Sequence, residues 1–238
     1  QAAYFSGAIL FGMGAILAFS MPYVVSPLQG TGASSGYFAN LSAGLRHVRA
    51  DRIIFVTIII TMVMNLFGFP YQHMVPVIGA ETLEVGPLLV GILLATEGLG
   101  ATIGSLMIAL KARPSGYTRV YTIGSIGFLT AILLFSLSPS FWMALPIMVI
   151  GGFSMSGFAT MQSIIVITSA PIEIRGRVLG VLAAAIGTGP FGALIVGSLA
   201  VIWGANNAVT AIAVTGLMLT TLTLMIWPAF LRNVGNSD

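Results

Sequence analysis

Seven long apolar runs, separated by short polar connections, organise the chain. They cover about residues 2–25, 53–72, 87–110, 120–137, 141–168, 178–203 and 208–230. Each is close to the roughly 20 residues that a helix needs to cross the hydrocarbon core of a bilayer. The pattern predicts an all-α polytopic membrane protein with seven transmembrane helices. Composition points the same way. The 238 residues are 57% hydrophobic and 6% charged, whereas a soluble domain carries about 25% charged residues.

The connection after the first run differs from the others. Residues 26–40, SPLQGTGASSGYFAN, are rich in Gly and Ser and predict a linker. Next comes LSAGLRHVRADRI, in which Leu41, Leu45 and Val48 recur at helical spacing. Arg46, His47, Arg49, Asp51 and Arg52 fill the other face. That spacing predicts a short amphipathic helix at the membrane surface. Simple solvation accounts for its charges as well as a specific lipid site does.

Charge then sets orientation. All nine Lys and Arg fall at 46–52, 111–119, 175–177 and 232. By alternation of the spans, these four places lie on one side of the membrane. The connections YQHMVPVIGAETLEVG, SPS and GANN on the other side contain no Lys or Arg. Short loops rich in Lys and Arg stay cytoplasmic, so the N-terminus is predicted outside and the C-terminus inside. The sequence pI near 9.6 does not indicate nucleic-acid binding, because the basic residues sit between spans and not on a soluble domain.

Chemistry is sparse. No cysteine is present, which excludes disulfides and thiolate metal sites. A phosphate-binding Gly-x-x-x-x-Gly-Lys-Ser/Thr loop is missing, so ATP hydrolysis is not expected. His47 and His73 are predicted on opposite sides, and no metal site, cofactor or enzyme constellation is expected.

Glu97, in ILLATEGLGAT, is the exception. A carboxylate at the bilayer centre costs roughly 2.5 kcal/mol or more. It is either a proton-coupling or substrate-recognising carboxyl, or a protonated Glu that hydrogen-bonds a neighbouring helix. Asn65 and Gln162 line a substrate path or tie helices together. Met155, with Met62, Met64, Phe67, Phe69 and Phe158, could shape an adaptable apolar cavity; helix packing is the plainer account. Gly100 and Gly104, and the group Gly187, Gly189 and Gly192, remove bulk so that neighbouring helices can approach. Pro190 is expected to bend the sixth run. In PIEIRGRVLG, Pro171 ends the fifth run, and Arg175 and Arg177 hold the start of the sixth at the interface.

Four stretches together resemble the C-terminal half, with the sixth helix, of a major facilitator superfamily transporter. They are AGLRHVRADRI, GPLLVGILLATEGLGATIGSLMIAL, MQSIIVITSAPIEIRGRVLGV and GTGPFGAL. The third, with its Pro-x-x-x-Arg-Gly-Arg-Val loop, is most similar to the branch of the enterobactin exporter and related multidrug exporters. The 104–117 segment resembles the superfamily's basic loop motif. It keeps Lys111, Arg113 and Gly116 but has no acid, which puts a charge-relay gate there in doubt.

The resemblance implies that residues 1–25 are the sixth helix of twelve and 26–52 a cytoplasmic linker carrying the amphipathic helix. Residues 53–231 would be a six-helix half of two inverted three-helix repeats, and 232–238 a cytoplasmic tail. The expected function is export of an amphipathic, drug- or siderophore-like molecule by proton antiport. The expected setting is the bacterial cytoplasmic membrane, with partners comprising the lipid bilayer, a small-molecule substrate, protons and the missing N-terminal half. Glu173 would make a gating contact with the 111–119 loop. Two alternatives remain: a seven-helix receptor, or a membrane subunit inactive alone. A retinal photoreceptor is excluded, because the only lysine is Lys111, in a loop.

Overall fold

The computed structural model describes residues 37–231 and, ahead of them, residues 12–14, 17 and 20. The latter five are helical, and the Ser20 hydroxyl donates to the Leu17 carbonyl at 2.8 Å. Most of the first expected span (2–25), residues 26–36 of the linker and the 232–238 tail with Arg232 lie outside the described residues.

Helix α1 runs Tyr37–Ala50. The first membrane-length element is α2, Arg52–Val63, continued by a π turn at Met64–Gly68 and a 3-10 turn at Phe69–His73. A short α3 follows at Val75–Glu81. Then come α4 (Pro87–Lys111), α5 (Tyr117–Ser136) and α6 (Phe141–Ser169). The next span is split into α7 (Arg175–Ile186) and α8 (Gly189–Trp203), and α9 covers Ala205–Ile226 before a last 3-10 turn at Pro228–Leu231. Six spans built from these elements, Arg52–His73, Pro87–Lys111, Pro114–Ser136, Phe141–Ser169, Arg175–Trp203 and Ala205–Ile226, are long and apolar enough to cross a bilayer. They coincide with the second to seventh apolar runs, and no strand occurs among the described residues.

Glycine sets the packing at the centre. Helix α6 lies between α4 and α5. On one side, a Cβ on Gly100 would strike the Val149 carbonyl, one on Gly104 the Ser156 hydroxyl, and one on Gly152 the Glu97 carbonyl. On the other, a Cβ on Gly124 would come within 2.7 Å of the Phe158 amide nitrogen, and one on Gly157 within 3.1 Å of the Val120 carbonyl. Lipid tails are as apolar as leucine, so such close contact, and not expulsion from water, drives helices together in a membrane.

The two ends of the bundle differ in character. At one end Phe55 meets Trp227 edge-on at 5.5 Å, Tyr121 meets Phe230 at 6.2 Å, and Gly44 of α1 packs against the Arg177 carbonyl. Segments 46–52, 117–119, 175–177 and 227–231 thus gather together. At the opposite end the Thr82 hydroxyl donates to Asn206 Oδ1 at 2.6 Å. The Asn206 amide donates to the Ser136 carbonyl at 2.9 Å, and the Ser136 and Thr210 hydroxyls pair at 2.9 Å.

Two local expectations change. Helix α1 buries Gly44 and Val48, whereas Leu45 is 39% exposed. The seat against α7 selects the residue that lets backbone approach backbone, and Gly44 does this better than a leucine. The connection after residue 72, expected as loop, contains α3, because Val75 and Ile78 reach the core and are fully buried.

Candidate functional site

The site begins with the buried stripe of α4. Val90, Leu93, Glu97, Gly100 and Gly104 recur every three or four residues and are its buried positions. Such spacing marks one helix face. The rest of α4 is largely exposed, but this stripe carries Glu97 against α6, where Gly152 accepts the Glu97 backbone at close range. Glu97 is 5% exposed, and its Oε1 has no hydrogen-bond partner. The polar side chains that interact with the carboxyl are Tyr71 and Gln72, from the 3-10 turn that ends the first span. Tyr71 is fully buried, whereas Gln72 is exposed. The carboxyl therefore has one buried hydroxyl neighbour and one amide neighbour that reaches the surface.

Aromatic rings enclose Tyr71. It meets Phe128 at 5.8 Å and Phe135 at 6.2 Å, both edge-on, and Phe69 lies 5.4 Å from Phe128 and 5.7 Å from Phe158. Phe158 stacks on Tyr121 at 5.4 Å. Tyr121 opens a second polar group. Its hydroxyl donates to the Thr57 carbonyl at 2.9 Å and contacts the Thr61 hydroxyl at 2.9 Å. Thr61 in turn donates to Gln162 Oε1 at 3.4 Å, and the Asn65 amide donates to the Thr61 carbonyl at 2.8 Å. Three spans, α2, α5 and α6, are joined by hydroxyl and amide groups inside an apolar bundle.

Asn65 and Gln162 thus fall into one network, and Glu97 stands in another with Tyr71. Met155 is half-buried and packs against the core. Met64 is fully buried, Met62 is 41% exposed, and Phe69 and Phe158 belong to the aromatic group. His73 is exposed.

The α7–α8 break falls at Gly187–Thr188, with Pro190 in the first turn of α8. Gly192 there lies against the π turn: its Cβ would come within 2.5 Å of the Leu66 carbonyl. Gly189 faces Asn65, since a Cβ added to it would lie 3.9 Å from Asn65 Oδ1, while Gly187 neighbours only its own helix. The distortion in the first span and the break in the fifth therefore face each other.

Arg113 and Glu173 are exposed. Arg175 reaches the Ala170 carbonyl at 3.4 Å and holds its Nε buried without a partner. Arg177 supplies the carbonyl that seats Gly44. Among the described residues no three His, Cys, Asp or Glu side chains cluster as a metal site would require.

Tyr71, Gln72, Thr61 and Tyr121 are absent from the sequence-based candidates. Thr57 and Thr61, four apart in an otherwise aliphatic run, were the available signal for the second group. Tyr71 had none, because its approach to Glu97 depends on the 3-10 turn.

A family model described as transmembrane secretion effector matches residues 7–234. No curated protein matches the chain.

Proposed function

The chain belongs to the transmembrane secretion effector family, of the major facilitator type, and from that premise we propose that it exports an amphipathic small molecule in exchange for protons, with Glu97 as the proton-handling carboxyl. Membership makes it a multi-pass membrane transporter. The observation that carries the finer reading is the buried Glu97, with one carboxylate oxygen unpartnered and Tyr71 and Gln72 beside it. An ionisable side chain within a span is costly and marks ion or substrate pathways. The exposed Gln72 offers a route between this carboxyl and water. In this fold the transport cavity lies between two six-helix bundles near the midplane, so the described bundle works against a second one. The distribution of basic residues supports a cytoplasmic position for the Lys111 and Arg177 end. A bacterial inner membrane is the setting we propose.

The test is efflux of ethidium from cells producing the protein, followed at several external pH values. Wild type should export faster as the inward proton gradient grows. Glu97→Gln should lose that dependence and fall about a hundredfold or more in rate, the range typical of a lost proton-transfer group. Wild-type rate and pH dependence in Glu97→Gln would remove the coupling role.

A further inference from the structure

One feature that transport through Glu97 does not use is a groove on the outside of the bundle. It lies between the last turns of α4 and the first turns of α5, floored by α6, with a cavity volume of about 240 Å³. Met107, Ile108, Val120, Ile123 and Phe153 form its walls. Met107 is 44% and Ile123 71% exposed, so the groove opens on the surface of the bundle. Gly104, Gly124 and Gly157 line it and contribute no side chain, and each also lets α6 approach its neighbour. The glycines that bring the helices together therefore also leave the slot between them open. About ten residues of α4 separate Met107 from Glu97, or roughly 15 Å along the axis, so the groove is a separate place.

Its mouth is cationic. Lys111 lines it, and the connection that follows, KARPSGYTR, holds Lys111, Arg113 and Arg119 with no acid. Lys111 and Arg113 are exposed. An apolar slot that ends at cations complements a phospholipid, which is oily along its length and anionic at its end. Basic pockets between spans on the cytoplasmic side hold anionic head groups in just this way.

We propose that the groove binds an anionic phospholipid, one acyl chain lying between α4 and α5 and the phosphate at Lys111 and Arg113. The absence of an acid from this loop then has a use. A carboxylate among these cations would repel the head group that they attract. The site does not depend on what the protein transports.

Native mass spectrometry of the full-length protein, with palmitoyl-oleoyl phosphatidylglycerol and the matching phosphatidylcholine as competing probes, tests this. Wild type should retain phosphatidylglycerol over phosphatidylcholine. Lys111→Gln and Arg113→Gln should each lower phosphatidylglycerol retention about fivefold, as expected for roughly 1 kcal/mol per basic residue near the surface. Lys111→Arg should restore it. Ile123→Trp, which fills the groove from an exposed position, should reduce both lipids. The two Gln variants alter exposed side chains, so their loss of binding is measured on folded protein. Equal retention of the two lipids by wild type, or a phosphatidylglycerol preference that survives Lys111→Gln combined with Arg113→Gln, overturns the proposal. Lipid retention unchanged by Ile123→Trp overturns the place of the acyl chain.

Discussion

Two neighbours set the surroundings of Glu97. Gly152 gives its backbone room against α6, and Tyr71 meets its side chain. A second residue-scale constraint is Gly204, the single residue between α8 and α9. Its φ of 80° and ψ of 160° lie where essentially only glycine is at ease. Gly204→Ala should therefore lower stability by about 1–3 kcal/mol, read as a reduced melting temperature in detergent. Because a Cβ there would meet nothing within 4 Å, the loss would come from the backbone and not from a clash. Tyr121→Phe should cost about 0.6 kcal/mol and no more than about 1.7, the range for hydrogen bonds between spans, by the same measurement. Glu97 was legible in the sequence because charge is rare in apolar runs. Tyr71 and Tyr121 were not, because an aromatic residue in such a run carries no mark of the hydrogen bonds that its fold will give it.

Elements were more legible than the joints within them. The second to seventh apolar runs emerge as membrane-length spans because length and hydropathy decide whether a segment can cross lipid, and such a segment satisfies its backbone there as a helix. The interruptions depend on neighbours. The π turn at Met64–Gly68 sits where Gly192 lies close to the Leu66 and Asn65 carbonyls, a contact between residues far apart in sequence. Such turns inside α-helices recur at functional sites. Asp51, expected on the polar face of the surface helix, instead caps α2: its carboxylate accepts from the Ile53 and Ile54 amides at 2.8 and 3.1 Å. Asp51→Ala should cost about 1 kcal/mol through loss of this cap, seen in the same melting assay. Asp51→Asn should recover most of it, since an asparagine caps as well.

Across the whole molecule, one end gathers the basic segments with Trp227 and Phe230, and the other is tied by Thr82, Asn206, Ser136 and Thr210. The sorting of lysine and arginine along the chain anticipated this division, since short basic loops keep to one side of a membrane. It could not anticipate which polar groups the bundle would bring together, because pairs such as Thr61–Tyr121 come from different spans. The family places the chain among transporters, and the buried carboxyl of Glu97 is where proton movement and substrate movement would meet. Proton flux in proteoliposomes of the full-length protein, followed with a trapped pH-sensitive dye while an ethidium gradient is applied, tests that most directly. Wild type should move protons against the ethidium flow, and Glu97→Gln should move none while keeping its fold. Proton flux of wild-type size in Glu97→Gln would contradict the account.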